Sequence, residues 1–255
     1  MGDAIFEDPK IDPEVNGMHQ WVTRDRYLSG NVRQKLEEAK RAGLKRNVVA
    51  LVGVQPRDLA PREIVVRFGA SFVPDRYVMQ FVNEYMWKGK ETGIKISYHN
   101  GMAKWIVDTG SRDSWVVDSS TENTQEWGTE RVPATKLIAK TLNKQSHQVF
   151  DTYIDLNDNK EKRKPNQNAT LAAQQKQEAI KAAWATWWKS DEKRAADIAK
   201  IYNEGFNNYI PRQFDGSHLR FEGMNSAISL RPHQTDVVWR ILQDQSTLMA
   251  HVVGG

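Results

Sequence analysis

The chain has 255 residues, no cysteine, and 36 Lys and Arg against 32 Asp and Glu, for a formal charge of +4. Without cysteine, disulfides, thiolate metal sites and cysteine nucleophiles are excluded, and a reducing cytoplasmic setting is expected. Mean hydropathy is −0.67, no apolar run approaches a membrane span, and the N-terminus does not read as a signal peptide, so no membrane partner is expected.

Nine tryptophans argue for a folded chain, since disordered segments are poor in aromatics. Residues 1–26 read as an irregular arm, with Ile5 and Phe6 as docking points. Ser29 or Asn31 caps a helix through Val32, Leu36 and Ala39 that ends at Gly43, a suitable residue just past a helix end. Asn47 reads as the cap of VVALVGV, an apolar run that periodicity leaves open between helix and strand. Pro56 and Pro61 bracket a turn, and Arg62 to Gly69 is again helix or strand. Pro74-Asp75 opens a helix whose apolar positions 78, 81, 82 and 85 mark its buried face.

From residue 93 the period changes to alternation. Ile94, Ile96 and Tyr98, then Asn100-Gly101, then Ala103, Trp105 and Val107 predict a hairpin with a type I′ turn. Trp115 to Val117 is a candidate third strand, and Asp118 to Glu126 a loop. A helix is expected from Pro133 to Leu142 and a strand from Gln148 to Asp155. The run with Lys160, Lys162, Arg163 and Lys164 reads as a solvated turn or, functionally, as a contact to nucleic-acid phosphates. Lys176 and Lys181 are further candidates for such contact.

Two helices follow. One starts at Asn168 or Thr170 and runs to Lys189, with Ile180, Trp184, Trp187 and Trp188 forming a packing ridge on one face. The next, capped by Ser190, runs to Gly205 and makes a helical hairpin. Residues 206–226 form a connecting arm. The chain closes with a helix entered from Arg231-Pro232-His233-Gln234, a polar break at 243–246, and an apolar strand running into Gly254 and Gly255. A strand followed by glycines is how phosphate-binding loops begin.

Arg231, Pro232 and Gln234, with the Ala250 to Gly255 run sixteen residues later, resemble the adenine-reading glutamine motif and the opening of the Walker A loop of superfamily 2 helicases. The resemblance extends along the chain. YLSGNVRQKLEEAK, VQPRDL, LAAQQKQEAIKAAW and FDGSHL are similar to the region just upstream of the motor in large helicase and adenine-methyltransferase fusion proteins of phages and mobile elements. It implies that the chain is a fragment of such a protein, cut before the Gly-Lys-Thr that continues the loop. The expected fold is therefore α+β, mainly helical with a small antiparallel sheet, ending in the first helix and strand of a RecA-like motor. Its expected parts are an arm at 1–26, a mixed α/β domain at 27–155, a helical hairpin and arm at 156–226, and the start of the motor at 227–255.

In the function so implied, Gln234 selects adenine, because an amide both donates and accepts on one edge. Arg231 stands beside it, and the N–H groups around Val253, Gly254 and Gly255 cradle phosphate. ATP and Mg²⁺ belong to the complete protein, whose remaining motor supplies the lysine, threonine and acidic pair that hydrolysis needs. This polypeptide alone is expected not to hydrolyse ATP. DNA, the rest of the motor and an adenine methyltransferase domain are the implied partners. Six histidines, none at metal-ligand spacing, give no reason to expect a metal. The alternative is a non-enzymatic DNA-binding or protein-interaction module that docks through the helical hairpin.

Overall fold

A computed structural model describes residues 5–9, 20–90, 92–110, 117–155, 160–225, 227–244 and 246–249. It is mixed α/β, about half helical, with small antiparallel sheets. The chain divides into two compact units, one of Met1–Arg57 with Phe206–Gly255 and one of Asp58–Gly205. The boundary expected at 155/156 therefore lies within the second unit, because the tryptophan helix shares a core with the residues before it.

In the first unit, β1 (Ile5–Asp8) pairs antiparallel with β2 (Gln20–Thr23). These residues are a ladder where an irregular arm was expected, and Phe6 is buried in it, its ring stacked at 5.2 Å on Tyr27 of the short helix α1 (Arg24–Tyr27). β3 (Gly30–Asn31) leads into α2 (Val32–Arg41), where the Asn31 side chain accepts from the Gln34 N–H at 3.0 Å. Gly43 follows at φ +69°, the left-handed conformation that ends a helix cheaply only with glycine.

The open VVALVGV segment is helical, as α3 (Lys45–Val52), with Leu51 fully buried and Val49 and Val52 exposed. Asn47 is not its cap. It sits inside the helix, 4% exposed, and its amide donates to the Glu7 carbonyl at 2.7 Å and to the Tyr27 hydroxyl at 2.9 Å. A buried amide with two partners is a core linkage, which local sequence does not reveal. Leu44 occupies the cap position instead.

In the second unit, Ile64, Val66 and Phe68 are buried while Val65 and Arg67 are exposed, so this stretch is extended and forms no helix. Helix α4 (Asp75–Gln80) passes into a π-helical turn, Phe81–Met86. The wider turn rotates the face by one residue: Met86 is fully buried and Tyr85, expected inside, is 44% exposed. β4 (Lys95–His99) and β5 (Lys104–Asp108) pair as expected, but His99 faces Lys104, leaving four residues in the connection. That connection is a 3₁₀ turn with Ala103 left-handed, and not the two-residue type I′ turn. Its register is held from outside, since Asn143 accepts from the Trp105 N–H and donates to the Trp105 carbonyl.

Val117 lies in a helical turn, so the described residues give no third strand there; Trp115 and Val116 lie outside the described residues. The expected loop contains a second π-helical turn, Glu122–Glu126. Helix α5 (Ala134–Leu142) follows Pro133 as expected. β6 (Phe150–Asp155) then pairs with β7 (Lys160–Pro165), so the basic run is a strand and not a turn.

Helix α6 (Gln167–Ser190) is capped by Asn166, two residues before the nearer expected start, Asn168. Ile180, Trp184, Trp187 and Trp188 are all buried, and the Trp184 indole donates to the Val66 carbonyl at 3.0 Å. In α7 (Glu192–Phe206) the capping oxygen belongs to Asp191, which accepts from the Arg194 N–H at 2.7 Å. Ser190 fails as the cap because it is still the last residue of α6, its hydroxyl donating back to the Trp187 carbonyl. Finally β8 (Tyr209–Ile210) returns to pair with β3, and α8 (Pro232–Gln243) is the last described helix of the first unit. Beyond α8, Thr247 to Met249 form no strand, with Leu248 85% exposed; the remainder of the expected strand lies outside the described residues.

Candidate functional site

Helix α8 begins where its sequence dictates. Pro232 occupies the first turn, where its missing N–H is no loss. Three residues after Arg231, the Gln234 amide oxygen accepts from the Arg231 backbone N–H at 3.0 Å, closing the entry to the helix. Arg231 and Gln234 are thus brought together, with Gln234 acting as the reciprocal half of a capping box. An amide oxygen has two lone pairs and the NH₂ two donors, so the capping bond leaves a donor and an acceptor lone pair on Gln234 for a further ligand. Val253, Gly254 and Gly255 lie outside the described residues.

The turn preceding α8 is seated on it by contacts the sequence did not disclose. The Gly216 N–H donates to Asp236 at 2.9 Å, and a Cβ on Gly216 would fall 2.1 Å from the Thr235 carbonyl oxygen. Only glycine permits that approach. The His218 ring meets Trp239 edge-on at 4.4 Å. Arg212 bridges Asp25 at 2.7 Å and Asp244 at 3.3 Å while lying over the Phe214 ring. Burial pushes the Asp25 carboxyl upward, but hydrogen bonds from Thr23 and Arg212 outweigh it and hold it below the usual carboxylate range. The Phe214–Leu219 motif is therefore a brace for α8, and Arg212, Gly216, Asp236 and Trp239 are members of this site that motif reading passed over.

A second candidate surface lies in the other unit. All six residues of β7 are exposed, and the register sorts the basic run into two faces. Lys160, Lys162 and Lys164 stand opposite Asp155, Tyr153 and Asp151 on one face, while Arg163, opposite Thr152, points to the other. Tyr153 is half-exposed and belongs to the lysine face; only strand pairing, invisible in a run read as a turn, puts it there. At the base of the ribbon Asp151 takes hydrogen bonds from Arg131 and from Asn166, the latter at 2.8 Å, and these, with the Arg131 charge, hold its carboxyl below the ordinary range. Asn166 is also the cap of α6, so the ribbon is fixed to that helix.

Lys176 and Lys181 are engaged elsewhere. The Lys176 ammonium donates to the carbonyls of Gln125 and Glu126, closing the end of the π-helical turn, and Lys181 pairs with Glu178 at 2.8 Å. A groove of about 1000 Å³ runs between the extended Val65–Phe68 stretch and α6, lined by Arg67, Lys144, Leu171, Gln174 and Gln177 among others. Its lining also includes Glu178 and Lys181, which are paired with each other along α6. Among the described residues no group of three or more His, Cys, Asp or Glu is placed to hold a metal ion, and no helix is long and apolar enough to cross a membrane.

Residues 67–208, more than half of the chain, match the family described as Domain of unknown function (DUF8437). The chain belongs to that family. The DUF8437 match falls almost wholly on the second compact unit, ribbon and tryptophan core included, and stops before the Arg231–Gln234 motif. No curated protein and no solved structure matches the chain.

Proposed function

We propose that the chain is the pre-motor region of an ATP-dependent superfamily 2 DNA helicase or translocase, in which a DUF8437 domain precedes the first elements of the motor. The observation that carries this reading is the entry to α8, where Arg231, Pro232 and Gln234 form a closed helix start with the Phe214–Leu219 turn seated behind it. Apolar side chains left in solvent support it as well. Ile241 and Leu242 on α8, and Leu248 and Met249 beyond it, are exposed, as expected of elements covered by a larger α/β layer. In the complete protein Gln234 reads adenine, the backbone at 253–255 holds phosphate, and the rest of the motor supplies the groups that bind Mg²⁺ and promote hydrolysis. DNA is the substrate, and an adenine methyltransferase domain is the companion activity.

A second reading, a non-enzymatic DNA-binding module, is favoured by one observation: the exposed lysine face lies inside the family domain itself. Sequencing the source gene past the codon for Gly255 separates the two. Continuation as Gly-Lys-Thr or Gly-Lys-Ser is expected, and the extended protein then hydrolyses ATP while the present chain does not. In that extended protein Gln234→Ala raises the KM for ATP about tenfold, the loss of one bidentate contact. A stop codon in an intact gene, or ATP turnover by the purified present chain, overturns the motor reading.

A further inference from the structure

The β6–β7 ribbon is a surface with unusual chemistry for its place in the fold. Phe150, Tyr153 and Ile154 are exposed on one strand and every residue is exposed on the other, so the ribbon contributes little to the core it adjoins. One of its faces carries three lysines at every second position, about 6.8 Å apart at the rise of an antiparallel strand. Tyr153 stands directly across from the middle lysine, Lys162, with its ring half in solvent. By register the face also carries Asp155, across from Lys160, and Asp151; Asp151 is already engaged by Arg131 and Asn166, which offsets its repulsion of an incoming anion.

We infer that this face binds single-stranded nucleic acid, with Lys160, Lys162 and Lys164 on successive phosphates and the Tyr153 ring against a base. Lysine neutralises phosphate as a point charge and reads no sequence. The aromatic ring decides the strand state. In a duplex the base faces are already stacked on one another and present no surface to a tyrosine, whereas an unpaired base offers its face freely. Of the side chains that read base edges in the major groove, this face lacks Asn, Gln and Arg and carries only Lys and Asp; the exposed Tyr153 ring is what favours an unpaired strand. The strand is DNA in the setting proposed above, and that choice of sugar alone rests on the helicase reading.

The test is fluorescence anisotropy of the full chain with labelled dT20, rU20 and a 20-base-pair duplex over a series of salt concentrations. Wild type is expected to bind dT20 at least tenfold more tightly than the duplex. The variant Lys160→Gln/Lys162→Gln/Lys164→Gln loses tenfold or more, and its slope of log K on log salt is shallower by about 2, three phosphates at roughly 0.7 each. Tyr153→Ala loses roughly tenfold at unchanged salt slope while Tyr153→Phe retains binding, since stacking needs the ring and not the hydroxyl. Arg163→Gln changes affinity less than any one lysine substitution. All the altered side chains are solvent-exposed, and circular dichroism verifies that each variant folds. Wild-type affinity and slope in the triple variant would place the DNA contact elsewhere and overturn the inference while leaving the helicase reading intact. Preference for duplex with Tyr153→Ala neutral overturns the single-strand assignment, and preference for rU20 over dT20 overturns DNA as the strand. Absence of binding to every probe overturns both the inference and DNA as the substrate.

Discussion

The two compact units are built on different scales. Among the described residues the Asp58–Gly205 unit buries a cluster of twenty-seven apolar residues, including Trp87, Trp105, Trp184, Trp187 and Trp188, whereas the other unit's cluster has seven, centred on Phe6, Tyr27 and Leu51. Helix α8 in that smaller unit has no fully buried residue. Buried apolar area is the main stabilising term available to a fold, so the unit matched by the DUF8437 family carries a core of its own. Helix α8, which carries the Arg231–Gln234 motif, is seated by polar and close-packed contacts with the Phe214–Leu219 turn.

The largest way to break the contrast is Trp184→Ala. It removes the side chain that packs between Phe68, Phe81 and Trp187 and that bonds the Val66 carbonyl. A cost of about 3–5 kcal/mol is expected in urea unfolding, with Trp184→Phe costing less because it keeps most of the volume. A cost under about 1 kcal/mol would mean that the ridge is not the core of its unit.

Next in size is Gly216→Ala, whose new methyl meets the Thr235 backbone. The expected cost is about 1–3 kcal/mol, as for other forced overpacking, read as faster proteolysis within 214–243 with the 58–205 unit still resistant. Equal protection of both segments in variant and wild type would show that the turn does not brace α8.

The smallest effect is a pH dependence in the large unit. His147 is buried, and burial first, then the positive charges of Lys136 and Lys140, hold its imidazole below the ordinary value of 6.5. The folded state favours the neutral ring, so this contribution is complete above pH 6.5 and is lost as pH falls through the lowered folded-state value. Stability should therefore decline as pH falls from 6.5 towards that lowered value and level off beneath it, and His147→Gln should flatten this part of the profile. An unchanged profile in the variant would assign the decline to other groups.

Much of the local structure was legible in the chain. Asn31 and Gly43 delimit α2, Pro133 opens α5, Ile180 to Trp188 mark a buried face at helical spacing, and Arg231-Pro232 starts α8. These depend on backbone preference and periodicity within a few residues, which composition and order determine. The tertiary structure alone decided which partner each remaining group found. Asn47 became a core linkage because Tyr27 and Glu7 lie against it, Met86 replaced Tyr85 inside because a π-helical turn shifted the face, and Asn143 fixed the Trp105 register. The basic run became a strand because β6 lay ready to pair with it, and that pairing set Tyr153 among the lysines. Hydrogen-bond partners distant in sequence are chosen by geometry, and a linear pattern carries no record of them.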